Sequence, residues 1–162
     1  MTGSSPAAPV LVIGANGYLG SHVTRRLVAD GRDVRVMVRE GANTIGIDDL
    51  EVTRFVGDIW DDAVLREAMT GCADVYYCVV DTRAELRDPA RLFETNVNCL
   101  RKVLDVAVEA HLRKFVFLST IGTIAVGRNG ETVDEDTPFN WADRAGGYIE
   151  SRRAAEELVF SY

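Results

Sequence analysis

Apolar residues along this chain alternate between two spacings. Val10-Leu11-Val12-Ile13 is a short unbroken run with the β-branched content of a buried strand. Leu19, Val23 and Leu27 then recur at four-residue intervals, with Arg25 and Arg26 on the other side, which predicts a helix. Asp30-Gly31 stops it. Val34 to Val38 reads as a second strand. Val52 to Val56 reads as a third, closed by Gly57-Asp58 after a loop over 41–50. Asp61-Asp62 open a short helix through Met69, with acids placed where the helix dipole favours them, and Gly71 ends it. Asp74 to Val80 predicts a fourth strand.

A long helix is predicted next, with Asp88 as N-cap and Pro89 as first residue, where a missing N–H is harmless. Leu92, Phe93, Val97, Leu100, Val103, Leu104, Ala107 and Val108 give it one broad apolar stripe, broken only by Asn96. His111 reads as a solvated residue at its end. Phe115 to Leu118 reads as a fifth strand leading into Ser119-Thr120. Residues 122–147 are polar and acidic and read as a long loop or lid. Tyr148 is expected to open a last helix that runs to about Phe160. Strands that alternate with helices predict an α/β fold with a parallel sheet covered on both faces. Right-handed crossovers make it doubly wound, of the Rossmann type, with strand order 3-2-1-4-5.

The switch from strand to helix period falls inside a glycine stretch, with Gly14, Gly17 and Gly20 evenly spaced. A strand, a tight glycine turn and a helix form a phosphate cradle. Helix N-terminal amides point at the anion, and glycine lets the backbone approach a pyrophosphate. No Asp or Glu lies between Gly14 and Arg26 to repel it.

Composition narrows the partners. The chain has 162 residues, 47% of them hydrophobic and 27% charged, as expected for one soluble globular domain over residues 10–162. A net charge of −7 argues against nucleic acid or an anionic membrane as partner, so an anionic cofactor must be held by local features. Cys72, Cys78 and Cys99 lack metal-ligand spacing; buried thiols in a reducing cytoplasm are expected, and no metal site. Met1 to Pro9 reads as a flexible tail without the features of a signal peptide. No apolar run approaches the ~20 residues of a membrane span.

Six stretches, in order, resemble the extended short-chain dehydrogenase/reductase superfamily. They are G-A-N-G-Y-L-G-S-H at Gly14, V-R-V-M-V-R-E at Val34, G-D-I-W-D at Gly57, R-D-P-A-R-L-F-E-T-N-V at Arg87, F-V-F-L-S-T-I-G-T at Phe115 and Y-I-E-S-R-R-A-A-E at Tyr148. The chain is similar to the N-terminal part of its dihydroflavonol-reductase-like and NAD-dependent epimerase/dehydratase group. That resemblance implies cofactor binding by Gly14, Asn16, Gly17, Tyr18, Leu19 and Gly20, by Asp58 (toward the adenine amino group) and Ile59, by Val79 and Val80 at the end of the fourth strand, and by Tyr148. Asp58 reads equally as a turn residue. The charged residue after the second strand separates the two nicotinamide cofactors: an acid bonds the ribose 2′-hydroxyl, an Arg takes a 2′-phosphate. Arg39 comes first and favours NADP, while Glu40 keeps NAD open.

The resemblance also implies a chemistry. In the superfamily a Tyr supplies the proton, a Ser or Thr holds the substrate oxygen, and a Lys one turn after the Tyr assists it. Tyr148 and Thr120 fall at the first two positions, with Ser119 and then Thr123 as the next hydroxyls. Arg152 stands at the Lys position, one helical turn from Tyr148; the alternative for this pair is an exposed helical Tyr–Arg contact. Asn96 is expected to brace backbone near the site. The implied function is oxidoreduction of a small-molecule carbonyl or alcohol by hydride transfer. A nucleotide-sugar epimerase or dehydratase with tightly held NAD, and a non-catalytic NADP-binding module, stand as alternatives. Extended members run well beyond this length, so either a longer chain or a partner is expected to complete the sheet, and the fifth strand is expected at an edge that favours self-association.

Overall fold

β1 (Val10–Ile13) is buried along its whole length. A strand of four consecutive apolar residues suits a position covered on both faces, as at the centre of a parallel sheet. The computed structural model, which describes residues 8–162, places it there. β1 pairs in parallel with β2 (Val34–Val38) on one side and β4 (Asp74–Tyr77) on the other. β3 (Thr53–Val56) and β5 (Lys114–Phe117) flank these, giving the expected order β3-β2-β1-β4-β5. Of the expected tail, residues 1–7 lie outside the described residues, and the Pro9 carbonyl accepts from the Ala73 N–H at 2.9 Å.

The described chain divides into two compact units. The first, residues 8–79 and 102–118, holds the sheet, helix α1 (Tyr18–Ala29), helix α2 (Asp62–Met69) and the C-terminal part of helix α4 (Cys99–Glu109). Val10, Val12, Leu27, Val34, Val36, Val38 and Ile47 form one apolar cluster within it. Asp61 caps α2, its carboxylate accepting from the Ala63 and Val64 N–H groups at 3.1 and 3.2 Å. Cys72 and Cys99 are buried and Cys78 is half-buried; burial pushes the Cys72 and Cys78 thiols up.

β4 ends at Tyr77 rather than Val80, so Val79 and Val80 follow the strand instead of ending it. The ladder stops because its neighbours do: Cys78 N–H makes the last bond to Ile13, and Leu118 N–H the last to Tyr77. The buried stripe of α1 is Gly20, Thr24 and Leu27, while Leu19 is 41% exposed. The sequence period is one residue out of register because Gly20, not Leu19, faces the glycine turn.

The second unit, residues 80–101 and 119–162, contains α3 (Ala90–Phe93), the start of α4, two short 3₁₀ turns at Ile121–Thr123 and Ala142–Arg144, and α5 (Gly146–Phe160). Asp88 accepts from the Ala90 N–H at 2.9 Å, and Pro89 has helical dihedrals, as a capped start requires. The expected single long helix is interrupted by a π turn, Glu94–Asn98, around Asn96. Such turns widen a helix by one residue and re-aim a side chain. α5 begins two residues before Tyr148, continuing from the Ala142–Arg144 turn. The loop expected over 122–147 is pinned. Asn140 clasps the Val126 backbone with two 3.0 Å hydrogen bonds, Trp141 Nε1 donates to Ile124 O at 3.0 Å, and the Arg153 guanidinium lies 4.3 Å over the Phe139 ring.

Asp74, at the start of β4, is 3% exposed and accepts from Arg113 Nε and Nη2 at 3.0 and 2.6 Å and from Arg32 Nη2 at 3.4 Å. Arg113 above all holds its carboxyl below the usual carboxylate range. A carboxylate with a lower pKa folded than unfolded adds stability above the unfolded value, and loses it as pH falls through the folded one. Asp74→Asn is therefore expected to cost about 1–2 kcal/mol near neutrality, since Arg113 is largely exposed and screened. The gap closes as pH drops below about 4. Urea unfolding across that range checks it; a gap independent of pH would mean that the charge plays no part.

Candidate functional site

The glycine turn is shaped by close backbone approach. Gly14 has φ +85°, and a Cβ there would lie 3.0 Å from the Cys78 carbonyl carbon and 3.1 Å from Val79. A Cβ on Gly20 would lie 2.0 Å from the Gly14 carbonyl oxygen, a distance no side chain tolerates. Gly17 N–H closes the turn on Gly14 O at 3.1 Å and then caps α1 with no side chain. The Tyr18, Leu19 and Gly20 N–H groups sit in the first turn of α1, where no preceding carbonyl can take them. No acid lies there. Asn16, Gly17, Tyr18 and Leu19 are exposed. These are the conditions for binding an anion at a helix start, and the turn fits the pyrophosphate of a dinucleotide.

The first unit gathers the other cofactor-end residues at the carboxyl ends of its strands, where open α/β sheets bind ligands. Arg39 and Glu40 follow β2 and are both exposed. Gly57 N–H bonds Val38 O at 3.0 Å, which brings the start of the loop after β3 alongside the end of β2. Asp58 is exposed, and one carboxylate oxygen accepts from Trp60 N–H at 3.0 Å, the turn role that its spacing also allowed. Ile59 is half-buried beside it, and half-buried Val79 touches the glycine turn.

The second unit holds the hydroxyls and the Tyr–Arg pair, with half-buried Val80 at its start. Thr120 caps the Ile121–Thr123 turn, its Oγ1 accepting from Gly122 N–H at 3.3 Å. Gly122 seats this turn on α5: a Cβ there would lie 2.3 Å from Ile149 Cδ1, next in sequence to Tyr148. Ser119 Oγ donates to Glu156 Oε2 in a short hydrogen bond. Thr123 Oγ1 shares its proton between Thr120 O at 2.8 Å and Glu156 Oε2 at 3.1 Å. Among the described residues, the Thr120 hydroxyl donates to no acceptor. Of the three candidate hydroxyls, it is the one whose proton is not taken by another group of the described chain.

Tyr148 is half-buried on α5, and Arg152, one turn on, is 1% exposed. The alternative of an exposed Tyr–Arg contact does not hold: α5 turns Ser151, Arg152, Ala155 and Leu158 inward, a stripe that carries Arg152 with it. Asn96, fully buried in the π turn, accepts from Asp81 N–H at 2.8 Å and donates to Asp81 O and Ser151 Oγ, each at 3.0 Å. Ser151 Oγ in turn donates to Tyr148 O at 2.8 Å. Asn96 thus braces both the segment after Val80 and the backbone of Tyr148. Asp81 is held by Arg83, which keeps its carboxyl below the usual range. Glu156 is a residue that sequence reasoning missed. Its signal was its place two turns beyond Tyr148 on the same helix face.

An all-parallel sheet with a glycine turn between β1 and α1 defines a Rossmann-type nucleotide-binding domain. The chain belongs to the NAD dependent epimerase/dehydratase family, whose model matches residues 10–162. It is 32% identical over 131 residues to sterol demethylase protein B of Methylococcus capsulatus, covering 80% of this chain and 40% of the relative. It is 27% identical over 146 residues to a putative dihydroflavonol 4-reductase of Synechocystis, covering 90% of this chain and 42% of that one. Its fold matches a crystal structure of UDP-glucose 4-epimerase with TM-score 0.80 at 26% identity, covering 95% of this chain and 47% of that one. The chain thus spans less than half the length of each. No helix among the described residues is long and apolar enough to cross a membrane.

The Gly20 contact reverses an ordinary trend. Replacing a helical glycine by alanine usually stabilises, by up to about 0.5–1 kcal/mol in a helix interior. Gly20→Ala is expected instead to destabilise by about 1–3 kcal/mol, because the new methyl group forces α1 away from Gly14. Denaturant unfolding decides the sign; a stabilised variant would show that the turn yields.

Proposed function

We propose that this chain binds a nicotinamide dinucleotide and carries the proton-transfer residues of an oxidoreductase that interconverts a small-molecule carbonyl and its alcohol. The observation that carries the reading is the arrangement on α5 and the turn seated on it: Tyr148, buried Arg152 one helical turn away, and Thr120 with the one uncommitted hydroxyl proton among three neighbours. The nicotinamide ring, when bound, supplies or takes up the hydride. The glycine turn and the first amides of α1 hold the pyrophosphate. Thr120 donates to the substrate oxygen and fixes its position. Tyr148 delivers its phenolic proton to that oxygen as the carbonyl becomes an alcohol, and takes it back in the reverse direction. Arg152 places a permanent positive charge on the same helix face, which favours the negative charge a phenol carries after giving up its proton.

Arg39 favours NADP. An exposed guanidinium directly after β2 is suited to fork onto a 2′-phosphate. Glu40 beside it and the likeness to UDP-glucose 4-epimerase support a second reading, an epimerase that retains NAD. Dinucleotide released from the purified protein by denaturation separates the two: retained NAD favours the epimerase. Arg39→Ala is expected to weaken NADPH binding by about 1–3 kcal/mol and to leave NADH little changed. Equal affinities for both cofactors in the wild type would defeat the assignment of Arg39.

The chemistry is tested on a panel of aldehydes and ketones. Tyr148→Phe is expected to lower kcat about 10²–10⁴-fold, the usual worth of a positioned proton donor. Arg152→Lys is expected to raise the rate, because a compact ammonium sits closer to a neighbouring oxygen than a delocalised guanidinium does. If neither substitution changes the rate, Tyr148 is not the proton donor and the chain is better read as a binding module.

A further inference from the structure

We infer that Glu156 is a positioning residue, one that holds the Thr120 turn and occupies the two competing hydroxyls so that Thr120 alone faces the substrate oxygen. The inference rests on the reading of Thr120 and Tyr148 above and adds the residue that fixes their turn. The geometry is specific. A single carboxylate oxygen, Glu156 Oε2, receives both Ser119 Oγ, immediately before Thr120, and Thr123 Oγ1, at the end of the 3₁₀ turn that Thr120 caps. Both ends of the turn are therefore tied to one atom. Thr123 is 9% exposed, so its hydroxyl needs an acceptor inside the protein. Hydroxyl donation to an ionised carboxylate is among the stronger hydrogen bonds, which suits a brace. Glu156 also lies one helical turn beyond Arg152 and two beyond Tyr148, so α5 presents the phenol, the cation and the brace along one face. Without the carboxylate, the Ser119 proton loses its acceptor and Thr123 keeps only the Thr120 carbonyl. The turn then loosens, and Ser119 competes with Thr120 for the substrate oxygen.

The test uses the whole protein with Glu156→Ala and Glu156→Gln, the second keeping size and a neutral acceptor in case the first folds poorly. One readout needs no cofactor: amide hydrogen exchange at Gly122 and Thr123, whose N–H groups bond Thr120 Oγ1 and Thr120 O. Glu156→Ala is expected to speed both by about tenfold or more while Val12 and Val36 in the sheet keep their rates. The second readout is catalytic. kcat is expected to fall about 10–100-fold, as for a misplaced hydroxyl, with KM for the dinucleotide unchanged and Glu156→Gln between Ala and wild type. In a Ser119→Ala, Thr123→Val background, Glu156→Ala is expected to cost no more, because the groups it acts through are gone. Unchanged exchange at Gly122 and Thr123 overturns the inference, as does faster exchange with an unchanged kcat or a full additional loss in that background. If the wild type reduces nothing on the panel, the functional reading fails, and the exchange rates alone then decide whether Glu156 braces the turn.

Discussion

A side-chain carbon on Gly20 would sit 2.0 Å from the Gly14 carbonyl oxygen, and that closeness sets how helix α1 leaves strand β1. The turn between them runs backbone against backbone. Gly14 adopts a left-handed conformation, and Gly17 folds back onto its carbonyl. The result is a helix whose first amides open at the end of a fully buried central strand. The rest of the first unit is built outward from that strand. β2 and β4 pair with it, and their carboxyl ends bring Arg39 and Val79 to the same end of the sheet. A Cβ at Gly20 has no room against the Gly14 carbonyl, so the constraint acts on where the helix sits against the turn.

The second unit answers to a different constraint, the pairing of buried polar groups. Asn96 is fully buried and makes three hydrogen bonds, two to the Asp81 backbone and one to Ser151. The helix around it adopts a π turn, which breaks the regular α-helical repeat at this residue. Ser151 passes the constraint to the Tyr148 carbonyl, and Glu156 passes another to the Ser119–Thr123 segment. A network in which each member satisfies another specifies one arrangement of the helix and the turn more sharply than apolar packing does. Arg152 shares the inward stripe of α5 with Ser151, Ala155 and Leu158, so burial of the cation follows from the same helix phase that places Ser151 on Asn96.

The strand order, the element sequence and the place of the glycine turn were all legible in the chain. Runs such as Val10–Ile13 carry the period of a buried strand, and the three glycines mark where that period changes. Those signals are local, each spanning a few residues, and the handedness of crossovers does the rest. The points at which the pattern misled are those where a neighbour, not the local spacing, set the outcome. Leu19 matched the helical stripe, yet Gly20 took the inward place because only it fits against Gly14. Val79 and Val80 continue an apolar run, yet the ladder ends at Tyr77 with its neighbours.

The candidate hydroxyls and the tyrosine were named from motifs that resemble those of a known superfamily, which put Thr120 first, Ser119 next and Thr123 third. What sets Thr120 apart in the folded chain is a carboxylate 37 residues beyond Ser119 that claims the protons of the other two. The burial of Arg152 likewise depends on α5 packing, and the link from Asn96 to Ser151 spans 55 residues. Local periodicity was enough to write down the elements, their order and the phosphate-binding turn, because each is encoded within one or two turns of chain. Which hydroxyl keeps its proton, and which way the arginine faces, depends on hydrogen bonds and helix contacts between distant segments, which leave no periodic trace and exist only once the chain has folded.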